Sequence, residues 1–142
     1  MVKTLTYKLD VFIMGHISYS YEITADRNNG LTAKYAKYGG NGGGMMLFDV
    51  DGPPSNQGPK EKTYNIKNED FKILPTGKLF EELDKIEFPQ ETKFIDQHLM
   101  DANVWNLIVD GKKYYGNAKP EFFNKIYELM QIEAICNHIE FK

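Results

Sequence analysis

A chain of 142 residues that is 42% hydrophobic and 13% aromatic is long enough for one core and too apolar for a disordered tail. Its one cysteine, Cys136, excludes an internal disulfide framework and any multi-cysteine zinc site. The net charge is −3 and Arg27 is the only arginine, which argues against specific nucleic-acid binding, since guanidinium forks are what read guanine edges and clamp phosphates.

The N-terminal run places Leu5, Tyr7, Leu9, Val11 and Ile13 at every second position, the period of a strand. Gly15-His16 turns the chain, and Ile17, Tyr19, Tyr21 and Ile23 repeat the alternation, so the two runs predict an antiparallel hairpin. Residues 26–30 (Asp-Arg-Asn-Asn-Gly) make the next turn, and Leu31 to Tyr38 a third strand with Lys34 on its wet face. A glycine-rich stretch at 39–44 leads into a fourth strand, Met45 to Val50. A Pro- and Gly-rich loop at 51–61 then precedes a shorter strand ending at Ile66.

Asn68 can cap a helix, but Pro75 and Gly77 interrupt the run it would start. Leu79, Phe80, Leu83 and Ile86 recur at helical spacing and predict a short amphipathic helix over 77–87, ended by Pro89. Residues 90–102 read equally as extended loop or helical turn. Asp110-Gly111 between two apolar or aromatic runs predicts a tight hairpin over 104–115, because both turn residues tolerate positive φ. Pro120 suits the first turn of a closing helix, along which Phe123, Ile126, Tyr127, Met130 and Ala134 line one face to about residue 136.

Five glycines and an asparagine at 39–44 invite comparison with a phosphate cradle. A P-loop needs Lys-Ser or Lys-Thr and then a helix; here Met45-Met46 and a strand follow, so the stretch is expected to be a loose inter-strand connection. Asp49 and Asp51 open like a calcium loop, but its twelfth position is Lys60, not Glu. Cys136 and His138 point about 200° apart on a helix, and a site from His16, His98 and His138 would need distant segments to converge. No catalytic residue, metal or cofactor is therefore assigned, and the expectation is a protein that is not an enzyme.

Charge is unevenly placed. Residues 69–101 carry four Lys against nine Asp or Glu, whereas 1–68 carry eight basic and six acidic groups and 102–142 five of each. Glu81, Glu82, Asp84 and Glu87 would decorate the wet side of the short helix, with Phe88 and Phe94 beyond it. Acidic groups around an apolar centre describe a surface for a basic protein partner, and Glu81, Glu82, Glu87, Phe88 and Phe94 are the candidate docking site. The alternative is a small, nucleotide-like ligand held by the Tyr-rich sheet with the glycine stretch as a flap, through Tyr35, Tyr38, Gly40, Asn41 and Gly42. Trp105 reads as a core anchor.

Asp101, Trp105, Asp110-Gly111, Gly116-Asn117, Pro120 and Phe122-Phe123, with the "YAKYGG" segment at 35–40, form a pattern. In it the chain resembles a set of small proteins of Gram-positive bacteria that share a Trp strand, a Gly turn, a Gly-Asn pair, Pro, an aromatic and a closing helix. The resemblance implies an architecture and brings no activity with it.

The expected fold is a single α+β domain over 1–142: a mostly antiparallel sheet with the short middle helix and a long C-terminal helix packed on one face. The function expected is protein binding, as in a small immunity protein or a phage-encoded inhibitor of bacterial defence. The N-terminus lacks the continuous apolar block of a signal peptide, and no stretch is long enough to cross a bilayer, so the expected location is the cytoplasm.

Overall fold

The computed structural model describes residues 1–13, 16–37, 60–98 and 103–140. Within them the chain forms an α+β fold around one seven-stranded, mostly antiparallel sheet. In chain order the elements are β1 (Thr4–Ile13), β2 (His16–Asp26), β3 (Gly30–Lys37), β4 (Lys60–Ile66), α1 (Thr76–Asp84), β5 (Lys93–Phe94), β6 (Trp105–Val109), β7 (Lys112–Gly116), α2 (Glu121–Leu129) and α3 (Ile132–Glu140). The spatial order is β4-β3-β2-β1-β6-β7-β5. β5 alone runs parallel to its neighbour, β7.

Period-two patterning decides which side of the sheet is buried. Leu5 and Tyr7 of β1, Tyr21, Ile23 and Ala25 of β2, Leu31 and Ala33 of β3, and Trp105, Leu107 and Val109 of β6 are all buried. They share one core with Leu79, Phe80 and Leu83 of α1, Phe122, Phe123 and Ile126 of α2, and Ile132, Ile135 and Ile139 of α3. Most of the intervening residues on these strands are polar and half-buried, Ile108 being an apolar exception: Thr6, Thr24 and Thr32 stand in register on neighbouring strands, with the first two hydroxyls 3.2 Å apart. That division is the usual one for an antiparallel sheet with one wet face.

The β2–β3 turn closes as its residues require: Asp26 Oδ1 accepts from the Asn28 and Asn29 amides, and Gly30 sits at φ +85°. Asp110 (φ +50°) and Gly111 (φ +92°) join β6 to β7 in the two-residue turn that the sequence predicts. The 90–102 stretch, ambiguous in sequence, contributes β5. Asn68 opens a short 3₁₀ turn to Phe71, with Lys72 in the left-handed region, in place of a longer helix. No helix among the described residues is long and apolar enough to cross a membrane.

One expectation is corrected. The C-terminal segment is not a long helix but two nine-residue helices, α2 and α3, separated at Met130-Gln131 with Gln131 at φ +49°. The physical reason is phase. Met130 and Ile132 are both fully buried, yet on an unbroken helix they would point about 200° apart. The left-handed residue resets the phase, so that Ile132, Ile135 and Ile139 continue the buried stripe begun by Phe123 and Ile126. The fourth strand expected at 45–50 and the loop at 51–59 lie outside the described residues.

Candidate functional site

The residues named as a partner surface lie on a strap, 68–96, that runs from the end of β4 to β5 on the opposite edge of the sheet. Its middle is α1, whose Leu79, Phe80 and Leu83 face the core and leave the other side wet. Glu81 and Glu87 are exposed, as are Glu69, Asp70 and Glu91. Glu82 is committed to Lys85, with Nζ to Oε2 at 2.8 Å.

Phe88 and Phe94 are half-buried and packed at the edge of the core. Phe88 meets Tyr114 and Phe122 at centroid distances of 6.1 and 6.0 Å, and Phe94 stacks on Trp105 at 6.1 Å and leans on Phe122 at 5.4 Å. Ile95, 41% exposed, is the more accessible apolar side chain there, and the sequence reading passed over it. Its only signal in the sequence was its place next to Phe94.

The strap is bolted to the sheet by a network the sequence did not advertise. Arg27, in the β2–β3 turn, sends Nη2 to both carboxylate oxygens of Asp84 at 2.9 and 2.8 Å, its Nε to the Val2 carbonyl at 2.8 Å, and lays its guanidinium 4.9 Å over the Phe80 ring. Asp84 Oδ1 also accepts from the Val2 amide at 2.7 Å. The Val2 amide first, and then the Arg27 guanidinium, hold the Asp84 carboxyl below the usual carboxylate range. Asp110 Oδ1 accepts from the Lys3 and Thr4 amides, both at 2.9 Å, fixing the start of β1 to the β6–β7 turn. The sole arginine thus holds structure; a lone Arg inside a turn was the available hint.

Of the residues named for a small ligand, Tyr35 is placed and Tyr38, Gly40, Asn41 and Gly42 lie outside the described residues. Tyr35 is paired in register with Tyr21, and Tyr19 with Lys37. The three rings form a cluster: Tyr19–Tyr21 at 5.5 Å edge-on, Tyr21–Tyr35 at 5.4 Å and Tyr19–Tyr35 at 6.0 Å. Tyr21 is buried, whereas Tyr19 and Tyr35 are half-buried.

Among the described residues, the other reactive side chains do not converge. Cys136 is half-buried at the margin of the core, near Tyr7 and Tyr127, whose hydroxyls burial pushes up in pKa. His98 is exposed, with its amide donating to Asp96 Oδ1 at 2.9 Å, and His138 stands edge-on to Phe71 at 5.3 Å. Among the described residues no three His, Cys, Asp or Glu side chains gather as metal ligands would.

The Trp–Gly–Asn–Pro pattern has a structural use at every described position. Trp105 stacks on Phe123 at 4.2 Å and donates from Nε1 to the Ala118 carbonyl at 2.7 Å. Gly116 lies against the Phe94 carbonyl. Asn117, buried, accepts at Oδ1 from the Asp96 amide at 2.6 Å and donates from Nδ2 to the Asp96 carbonyl at 3.1 Å. Its carboxamide thereby continues the β5–β7 ladder by one more rung. Pro120 precedes α2, which buries Phe122 and Phe123. No family model, curated protein or solved structure matches the chain.

Proposed function

We propose that this protein is a non-enzymatic binding module that blocks a partner protein by occupying a basic site on it, acting in the cytoplasm without metal or cofactor. A small bacterial immunity protein or a phage-encoded inhibitor of bacterial defence has that logic, and the resemblance to small Gram-positive proteins is compatible with either. The observation that carries the reading is the division of labour on the strap. Asp84 and Glu82 are committed to Arg27 and Lys85, while Glu81, Glu87 and Glu91 stand exposed on a segment anchored at both ends. Carboxylates on a rigid base steer a cationic partner without a large ordering cost. Ile95 and the outer edges of Phe88 and Phe94 supply the apolar part of the contact.

The test is association kinetics with the partner recovered by affinity purification. Reversing Glu81, Glu82 and Glu87 to Lys should slow association and weaken its salt dependence, with circular dichroism showing the fold retained. Identical kinetics at low and high salt for the native and triple-Lys chains would remove this surface from consideration.

A second reading rests on the Tyr19–Tyr21–Tyr35 cluster, with Lys37 across from Tyr19. Clustered phenols beside an ammonium group suit a planar anionic ligand such as a nucleotide. A thermal-shift screen separates the two, because a ligand that binds only the folded chain raises its melting temperature. No shift with saturating nucleotide would dispose of the second reading.

A further inference from the structure

Nothing in the local sequence ends a helix between α2 and α3. Leu129, Met130, Gln131, Glu133 and Ala134 are good helix formers, and residues 121–140 contain neither glycine nor proline. The chain breaks there all the same, in the space of Met130 and Gln131, by putting Gln131 at φ +49°, a left-handed conformation unfavourable to an L side chain. Gln131 is held in it by its amide and its Nε2, which donate to the Glu128 carbonyl at 3.1 and 3.0 Å. What imposes the break is tertiary packing. α3 lies against β3 and α2 with Ile132, Ile135 and Ile139 fully buried, and on a straight helix these would face about 200° away from Phe123 and Ile126. One sheet cannot cover both stripes of a straight helix; two sheets can.

We infer that two copies of this chain exchange α3. In each, residues 121–140 straighten into a single helix about 30 Å long, the α2 stripe stays on its own sheet, and the α3 stripe enters the core position that the other copy's α3 has left. Every contact of α3 with the core is kept, made to the second copy instead of the first, so the two forms differ chiefly at the hinge. Straightening releases Gln131 of each copy from the left-handed region and adds helical bonds across the break, such as the Ala134 amide to the Met130 carbonyl. Against this stands the entropy of joining two chains, which concentration offsets. A short connection under strain, with flanks inclined to helix, is the setting in which such an exchange arises. Because α3 has to leave one core before it enters another, exchange happens during folding and not by collision of folded chains.

The full chain is unfolded in urea, refolded at concentrations from micromolar to millimolar, and sorted by size-exclusion chromatography with light scattering. The expected result is a species of two 16.4 kDa chains whose share rises with refolding concentration and which, once formed, persists on dilution until urea or heat loosens the core. Two small substitutions at the hinge should move it in opposite directions. Gln131→Gly makes the left-handed conformation accessible at little cost and should lower the dimer association constant by on the order of tenfold for each hinge. Gln131→Ala removes the Nε2 bond to Glu128 and favours helix, and should raise that constant. Both variants keep the buried stripes, and circular dichroism with melting of the single-chain form checks that each folds. A single-chain mass at every refolding concentration overturns the inference. So does a dimer that falls apart at once on dilution, which is a surface contact, or one that the two hinge variants do not move in opposite directions.

Discussion

Replacing Gly116 by Ala puts a methyl group where the Phe94 backbone already sits. An ideal Cβ at residue 116 would lie 2.2 Å from the Phe94 carbonyl oxygen, 2.7 Å from its carbonyl carbon and 2.8 Å from its Cβ. The neighbour cannot step aside freely, because that oxygen accepts from the amides of both Asn117 (3.1 Å) and Ala118 (3.0 Å). Relieving the clash means moving β5 off β7 by about 1 Å, which stretches both bonds and disturbs the Asn117 carboxamide on Asp96. Gly116 is outside the left-handed region, so its own backbone would admit Ala and the whole penalty is steric. Overpacking at about 1–3 kcal/mol, with two weakened hydrogen bonds at about 0.5–1.5 kcal/mol each, gives a loss on the order of 3 kcal/mol. Urea unfolding measures it, and calorimetry should show a fall in Tm on the order of 10 °C. Amide exchange should quicken at Tyr115 and Asn117 before it does in β1 to β3. Gly77→Ala is the control: nothing lies within 4 Å of its added methyl, so stability should hold or rise. A Gly116→Ala chain within about 0.5 kcal/mol of the native one would show that the close approach of β5 and β7 is not what fixes this corner.

Arg27→Ala should lower Tm by several degrees, since it frees both the Val2 carbonyl and the Asp84 carboxylate; equal melting of the two chains would discount the clamp. The Asp84 carboxyl is held low in the folded chain, so its contribution is complete above the unfolded carboxyl value near about pH 4 and fades as pH falls through the folded one. Asp84→Asn should therefore flatten the acid limb of a Tm–pH curve, and an acid limb as steep as the native one would contradict this. Trp105→Phe keeps most of the ring stacking on Phe123 but loses the Nε1–Ala118 bond, for a cost of about 1–2 kcal/mol in urea unfolding; no measurable loss would mean that the Ala118 carbonyl finds another donor.

Local periodicity made most of the fold legible. The alternation in β1 to β3, the helical spacing of Leu79, Phe80 and Leu83 and the Asp110-Gly111 turn each depend on residues close in sequence, and each is present. What escaped depends on partners far along the chain. β5 exists because Asn117 and Gly116 accept the backbone of 94–96, a contact between segments about twenty residues apart that no local pattern announces. The helix break at Gln131 was readable and overlooked: Ile132, Ile135 and Ile139 keep perfect helical spacing, but out of phase with Phe123, Ile126 and Met130. For the candidate surface, exposure of Glu81 and Glu87 followed from the helix face, whereas the inward turn of Phe88 and Phe94 needed Phe122 and Tyr114 in place beside them.

The positions that look most like a signature therefore say least about activity. Trp105, Asp110, Gly116, Asn117 and Phe122 are each engaged by a stacking contact, a turn or a backbone clamp, and a side chain buried in such work has little left to offer a partner. Recognition has to come from groups the fold does not need. On the strap those are Glu81, Glu87, Glu91 and Ile95. Under the reading proposed above, these exposed carboxylates are what a cationic partner would meet. Because α1 is pinned through Arg27 and Asp84, charge changes at Glu81 and Glu87 should leave the fold itself nearly undisturbed. The triple-Lys strap variant should therefore melt close to the native chain while Arg27→Ala does not. A triple-Lys chain that melts as low as Arg27→Ala would mean that the acidic face helps to hold the strap on the sheet, and is not free for recognition.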